Sequence, residues 1–394
     1  MILIVAFSAR MLAELAVRAG HEVTAVDHFG DVDLRRACPS VSVPGGMAEL
    51  VAAAERIPAS RVVYGAGLEN RPDLVARLAA GRELLGCPPD VLRRVRDPAQ
   101  LAGSGLPYPR TFVGRVPPAG RWLRKPLRSG GGRGVRPWRG EAVGPGVVVQ
   151  ERIEGLPCSA VAVAGGLLGV SEQLIGRFGA RGFTWSGNLV PPRLPADERR
   201  ALGAAAEAIC ARVAEAFGVR GLFGVDMVWD GERAWVVEVN PRPSGSLEVI
   251  APDAFAAHLD GAPARRPEPA GQPPAVPAAG RPQAGATAGQ PPAVPAVGRP
   301  PAGATAGHLP AGRPPAGATA GHAAAGKAVV FAREDVVVPD LRGPDVRDVP
   351  HPGERIARGR PICTLVATGA TPESVLAELE TRAAALPVEA HALV

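Results

Sequence analysis

Lysine is nearly missing from this chain of 394 residues. Lys125 and Lys327 are its only two, and every other one of the 44 basic residues is arginine. Aromatic residues make up only 4% and are not interleaved with the arginines. The net charge of +6 therefore reads as a solubility feature, not a nucleic-acid footprint, and no nucleic-acid partner is expected. Cysteine is also scarce. Cys38, Cys87, Cys158, Cys210 and Cys363 are odd in number and form no C-x-x-C pair. That excludes a disulfide framework and a thiolate zinc site, and it fits a reducing cytoplasm. No apolar run is long enough to span a bilayer, so no membrane partner is expected. The Met1–Phe7 run is too short and lacks the basic lead of a secretion signal, so it reads as a first strand. The turn after it, Ser8-Ala9-Arg10, has no G-x-G-x-x-G, which disfavours a dinucleotide-dependent dehydrogenase.

What the chain does contain begins with alternation. Through residue 90, apolar runs such as ILIVAF, EVTAVD and RVVYGAG are separated by helix-like stretches, with Leu12, Leu15 and Ala16 on one face of the first. This pattern predicts βαβ units in a parallel sheet. Asp97-Pro98 and Gly105–Pro109 punctuate the chain. Strands are predicted at Trp122–Pro126, Val147–Ile153 and Ala160–Val170, and an amphipathic helix at Asp197–Phe217. From about 260 to 326 the composition collapses to Pro, Ala, Gly and Arg, with a repeat starting at Gly271 and again at Gly289. Such a segment buries too little apolar surface to offset its ordering entropy and is expected to be disordered. Strands and a closing helix, Pro372–Leu386, follow it.

Two stretches carry chemistry. Gly221–Arg242, GLFGVDMVWDGERAWVVEVNPR, puts Asp226 on one strand and Glu238 and Asn240 on the next, ending in Asn-Pro-Arg. Two carboxylates and an amide oxygen are hard donors of the kind Mg²⁺ takes beside nucleotide phosphates. They share a face only if the pairing centres near Glu232, because side chains alternate along a strand. A two-residue turn at Asp230-Gly231 would separate them, so an odd-numbered connection is predicted. The second stretch, Trp122–Val135, places Lys125 at a strand end before Ser129-Gly130-Gly131-Gly132. Consecutive glycines admit phosphate oxygens to backbone N–H groups, and a compact ammonium adds a point charge. No G-K-[ST] closes the loop, so it is not a Walker A motif. Glu69 and Asn70 follow a parallel strand, where α/β sheets present ligands. Phe183–Asn188 reads as a mobile loop bringing Trp185 and Asn188 to a substrate, with Ser244 beside it.

The order lysine, glycine loop, strand, then Asp…Glu-x-Asn-Pro-Arg resembles the ATP-grasp superfamily, over about residues 90–255. YGAGLENRP (Tyr64–Pro72), LGCPPDVLRRVRDP (Leu85–Pro98) and RGRPICTLVATGAT (Arg358–Thr371) are similar to a bacterial group of predicted ATP-dependent carboligases. That group is related to biotin carboxylase and associated with one-carbon, methanofuran and tetrahydromethanopterin gene sets. The resemblance implies an α/β (α+β) fold: a Rossmann-like parallel-sheet domain at 1–97, an ATP-grasp region at 98–259 and a small β-rich piece at 327–394. The ATP-grasp region would comprise a lid near 108–148 and a metal-binding, catalytic part near 149–259. It implies that Arg96, Lys125, Ser129 and Gly130–Gly132 hold ATP phosphates and that Gln150, Glu151, Arg152 and Ile153 surround the adenine. Asp226, Glu238 and Asn240 would hold Mg²⁺ or Mn²⁺, Arg242 and Lys125 would be catalytic, and a carboxylic acid and an amine would be joined by a cytoplasmic enzyme, as a homodimer. Two departures stand out: Pro98 follows Asp97 where relatives carry a lysine, and the ribose-binding acid falls near Pro157 or Cys158. An ATP sensor without turnover and a biotin-carboxylase-like carboxylating enzyme are the other functions left open.

Overall fold

The computed structural model describes residues 1–260, 323–387 and 389–390. The Pro/Ala/Gly repeat lies outside the described residues except for its last few positions, which open a strand.

The first strands, β1 (Ile2–Val5), β2 (Val23–Asp27), β3 (Ser40–Ser42), β4 (Arg61–Tyr64) and β5 (Glu83–Leu85), form a parallel sheet in the order β3-β2-β1-β4-β5. β1 lies at its centre and is buried along its whole length, with Leu3 and Val5 in one core cluster and Ile2 and Ile4 in another. Period-two alternation thus feeds two hydrophobic layers, as a sheet covered on both faces requires. The crossovers are α1 (Arg10–Arg18), α2 (Val32–Ala37), α3 (Met47–Ala54) and α4 (Pro72–Ala79). Then come α5 (Pro89–Val95) and α6 (Pro98–Gly103), where Asp97 caps α6 by accepting from the Ala99 amide at 2.9 Å. A cap followed by proline at the first helical position is a strong helix start.

A small antiparallel sheet follows, β6 (Thr111–Val113), β7 (Trp122–Pro126), β8 (Arg136–Pro137) and β9 (Val147–Glu151), in the order β6-β9-β7-β8. The next region builds β10 (Leu156–Val163), β11 (Gly166–Ile175) and β12 (Trp185–Val190), the 22-residue α7 (Ala196–Phe217), then β13 (Leu222–Trp229) and β14 (Ala234–Asn240). The single strand expected over Ala160–Val170 is two strands joined at Ala164-Gly165, both with positive φ. Leu202, Ile209, Val213 and Phe217 of α7 are buried in one core cluster together with Phe223 and Val225 of β13. Short helices α8 (Leu247–Ile250) and α9 (Phe255–Asp260) close this part.

The C-terminal residues are not a separate piece. β15 (Ala324–Phe331) pairs with β12, and the large antiparallel sheet runs β14-β13-β10-β11-β12-β15-β19-β17, with β17 (Val346–Arg347) and β19 (Pro361–Gly369). β16 (Val336–Val337), β18 (Arg355–Ile356) and β20 (Glu389–Ala390) form a minor sheet, and α10 (Pro372–Ala384) packs on β15 and β19.

Candidate active site

β13 and β14 carry the carboxylates. Trp229 pairs with Ala234, so four residues, Asp230–Arg233, connect the strands, not the odd number expected. Asp230 ties the turn together, its Oδ1 accepting from the Glu232 and Arg233 amides at 2.9 and 2.7 Å. An even connection alone would put Asp226 and Glu238 on opposite faces. A β-bulge corrects this: the register slips between Asp226 and Met227, leaving Val237 as the extra residue, and Asp226 pairs directly with Glu238. The bulge does a second thing. The Val237 carbonyl accepts a hydrogen bond from Lys125 Nζ at 2.9 Å.

Lys125 reaches this point from β7. Its other acceptor is Gln150 Oε1 at 2.8 Å, and Gln150 donates on to Thr111 Oγ1 at 3.1 Å. Both acceptors are neutral, so the ammonium charge is left uncancelled by hydrogen-bonded carboxylates. Burial lowers the Lys125 pKa, with Glu238 opposing. Arg96, at the end of α5, is paired with Glu238 and donates to Asn70 Oδ1 at 2.8 Å and to the Ser129 carbonyl at 3.2 Å. Arg242 donates from Nε to the 2%-exposed Glu69 at 2.9 Å. Burial works against the charges on Arg96 and Arg242, but Glu238 and Glu69 outweigh it and hold both guanidiniums above their usual range. Glu69 is likewise held below the ordinary carboxyl range: burial pushes it up, and Arg242 and Arg96 more than offset this. Glu69 and Asn70 therefore position arginines, where a direct contact with substrate was expected.

The glycine loop is folded down over the site. Gly131 offers its carbonyl to the Trp185 amide at 3.0 Å, and Gly132 has φ +72°. A Cβ on Gly132 would overlap the Phe183 carbonyl oxygen, so only glycine allows this approach. The segment it meets is not the mobile loop expected. Trp185–Val190 is a strand in the middle of the sheet, because β15 supplies its second edge. Asn188 is 1% exposed, donating to Ser171 Oγ at 2.9 Å and accepting from Trp185 Nε1 at 3.0 Å, so it faces the interior. Ser244 is buried as well, hydrogen-bonded to Ser246 at 2.8 Å.

Past β9, the Glu151 and Arg152 amides are bonded to the Arg110 and Arg121 carbonyls, and their side chains pair with Arg110 and Glu154 on the outside. The Gln150 side chain serves Lys125, and the Glu151 and Arg152 amides, expected at an adenine edge, are bonded to neighbouring carbonyls. Pro157 and Cys158 lie within β10 opposite Val228 and Met227, and burial pushes the Cys158 thiol up to about 12. An open cavity of about 490 Å³ lies beside the glycine loop, lined by Arg71, Pro72, Asp73, Arg93 and Arg128.

The residues present fit a divalent cation. Asp226 and Glu238 face each other, and burial with the nearby Glu238 charge pushes the Asp226 carboxyl up to about 6, a crowding that a cation relieves. Asp226 accepts from Gln173 Nε2 at 2.9 Å and from Asn240 Nδ2 at 3.0 Å. Gln173 was not foreseen; it stands on β11, two strands from β13, and no motif marks it. Among the described residues no group of three or more His, Cys, Asp or Glu is arranged to hold a metal, so a cation here would need Asn240 and ligand oxygens as well.

Residues 98–246 match the family model of the ATP-grasp domain. No curated protein matches the chain in sequence. Among solved structures, N5-carboxyaminoimidazole ribonucleotide synthetase from Thermus thermophilus is 17% identical with a TM-score of 0.63, over 100% of this chain and 99% of that one. The biotin carboxylase domain of the Hydrogenobacter thermophilus 2-oxoglutarate carboxylase, solved with MgADP, ADP and bicarbonate, is 12% identical with a TM-score of 0.65, covering 98% of this chain and 90% of that one. Biotin carboxylase from Campylobacter jejuni, in a β,γ-ATP complex, is 14% identical with a TM-score of 0.63, over 98% and 91%. The chain thus has the ATP-grasp fold, with an ATP-grasp domain at residues 98–246.

Proposed function

We propose that this protein is an ATP-dependent carboxylate–amine ligase that forms an amide through an acyl phosphate, using Mg²⁺ or Mn²⁺. The observation that carries the reading is the bulge at Val237, which turns Glu238 to face Asp226 and presents a carbonyl to Lys125 in one local change. Residues 1–97 would bind the amine and 98–259 would bind ATP. The five cysteines are all buried and free, in keeping with a reducing cytoplasm. The likeness of Tyr64–Pro72, Leu85–Pro98 and Arg358–Thr371 to carboligases of one-carbon gene sets supports a place in cofactor biosynthesis.

Asp226, Glu238 and the Asn240 amide oxygen would hold Mg²⁺, which supplies charge neutralisation at the triphosphate. Lys125 and the Gly130–Gly132 amides would grip the phosphates, and Arg96, which donates to the Ser129 carbonyl at the start of the same loop, would reach them as well. Arg242, held by Glu69, would orient the acid substrate. A substrate carboxylate oxygen then bonds to the γ-phosphorus as the bridging P–O bond breaks and ADP leaves. The amine nitrogen attacks the acyl carbon, the C–O bond to phosphate breaks, and the amine gives up its proton. Positioning and charge stabilisation supply most of the rate in such transfers. Arg71, Arg93 and Arg128 around the open cavity would favour the approach of anionic reactants.

The test is ADP release combined with mass spectrometry of products, screening carboxylic acids such as glutamate against amines and pterin precursors. Amide product with stoichiometric ADP supports the ligase. Product only with bicarbonate identifies a carboxylating enzyme, and Mg·ATP uptake without any product identifies a sensor.

A further inference from the structure

Three segments that build the active site continue past it, each by one residue or one helical turn, into a second space. Asn70, Arg96 and Ser129 are tied together, because Arg96 donates to Asn70 Oδ1 at 2.8 Å and to the Ser129 carbonyl at 3.2 Å. Arg71 follows Asn70, Arg128 precedes Ser129, and Arg93 lies one turn before Arg96 on α5. These three arginines, with Pro72 and Asp73, line the open cavity of about 490 Å³. That volume falls within the roughly 300–1,000 Å³ of small-molecule pockets. The contacts that fix Arg96 beside Glu238 therefore also fix where the cavity lies.

The charge of this cavity is not cancelled. Arg71 forks onto Asp73, from Nε at 3.0 Å and from Nη2 at 2.7 Å. Arg93 and Arg128 are exposed, and among the described residues neither has an ion pair or a side-chain hydrogen bond. Arg94, next along α5, is committed to the fold instead, donating to the Phe217 carbonyl at 2.9 Å. Three guanidiniums against one carboxylate leave an excess of positive charge around the space. Arginine is the ordinary basic residue of this chain, so its type says little here; its convergence says more. Solubility asks only for scattered charge. Like charges gathered from three segments repel one another while the cavity is empty, and a bound anion removes that repulsion.

We propose that this cavity holds a second anionic group of the acid substrate, a carboxylate or a phosphoryl group remote from the carboxylate that is activated. The proposal rests on the ligase reading and names the substrate class for its first half-reaction, a di-acid. Guanidinium forks match carboxylate and phosphoryl oxygens alike. The spacing comes from the short helical turn Leu68–Asn70 and the residue after it. Glu69 holds Arg242, Asn70 holds Arg96, and Arg71 lines the cavity. Three consecutive residues thus run from the arginine that would orient the reacting carboxylate to the arginines that would take the other anion. Two residues of chain span at most about 7 Å, so a short acyl chain joins the two groups.

The experiment is calorimetry on the full chain, with and without Mg·ADP, using glutarate, pentanoate, γ-phosphonobutyrate and sulfate as probes. Glutarate and pentanoate share one chain length and differ by the second carboxylate. Saturable glutarate binding, with pentanoate at least about tenfold weaker for want of its charge-assisted bonds, is the expected result. Arg93→Gln combined with Arg128→Gln brings glutarate down to the pentanoate level, while melting and Mg·ATP uptake stay as in the wild type. Tighter binding of γ-phosphonobutyrate than of glutarate assigns the second anion as a phosphoryl group, and the reverse assigns it as a carboxylate. Equal binding of glutarate and pentanoate, no glutarate binding, or an unchanged glutarate affinity in the double variant each overturns the proposal. Sulfate binding as tightly as glutarate overturns it too, as an adventitious ion only. Loss of Mg·ATP uptake in the double variant gives the cavity to the nucleotide and likewise overturns it. The ligase reading fails separately, through a wild type that takes up no Mg·ATP, whatever glutarate does.

Discussion

Around Asp226 and Glu238, the cations Arg96, Lys125 and Arg242 stand among Glu69, Asp226 and Glu238, three charges of each sign. Around Arg10, by contrast, the carboxyl groups of Glu14, Asp33, Glu248 and Asp348 converge on one guanidinium, and Lys327 shares Glu248. The first cluster is near neutral and leaves a lysine held by neutral oxygens. On the proposed reading it would take up an anion together with its counter-cation. The second gathers its acids on a single central guanidinium, so Arg10 carries the structure there. Both are buried; on the proposed reading one would offer its cations to a ligand, whereas the other commits its central cation to the fold.

The largest expected effect follows from that contrast. Arg10→Met leaves Asp348, Glu14 and Asp33 without their cation and Glu248 with Lys327 alone, and breaking a buried pair this way costs about 3–5 kcal/mol. Urea unfolding measures it, and a loss below about 1 kcal/mol would erase the distinction. Lys125→Ala, by contrast, is expected to keep the fold and lower ADP release by on the order of 10²–10³. Arg242→Ala is expected to do both, silencing turnover and stranding the buried Glu69. Arg242→Lys, which keeps the charge but not the fork, recovers stability more than rate.

A smaller effect sharpens the comparison within the glycine loop. Gly132→Ala drives a methyl into the Phe183 carbonyl and strains a positive φ, at about 1–3 kcal/mol. Gly130→Ala meets nothing within 4 Å. The first is expected to weaken ATP binding and the second to leave stability almost unchanged, both read by ATP titration and melting.

The most gradual effect is a pH slope. The folded Asp226 carboxyl titrates near 6, above its unfolded value near 3.8, so the folded state holds an extra proton between them. Its contribution favours the fold below about pH 4 and is lost as pH rises through about 6, by about 3 kcal/mol. Glu69, held below its ordinary value, gives the opposite slope: its contribution is present above about pH 4.3 and lost on acidification. Urea melts from pH 4 to 7 on the wild type and Asp226→Asn separate the two, since only the first slope vanishes in the variant.

Much of this was legible in sequence. Alternation in GLFGVDMVW and AWVVEVN placed two strands and their acids, and the rarity of lysine drew attention to Lys125 beside the glycine loop, which proves to be held in a network. The bulge at Val237 was not legible, because nothing in a run of valines says which one will step out of register. The hairpin at Ala164-Gly165 was hidden by small residues that continue an apolar run. Trp185–Val190 looked like a loop because its partner, β15, lies more than 130 residues away in sequence. The Arg10 cluster draws on α1, α2, α8, β15 and the residue after β17, so only the fold brings it together.

The most direct test of the central claim is titration calorimetry of Mg·ATP into the wild type and into a variant carrying Asp226→Asn with Glu238→Gln. One equivalent bound by the wild type and none by the folded double variant is the predicted result. Equal uptake by both, or none by the wild type, would contradict it.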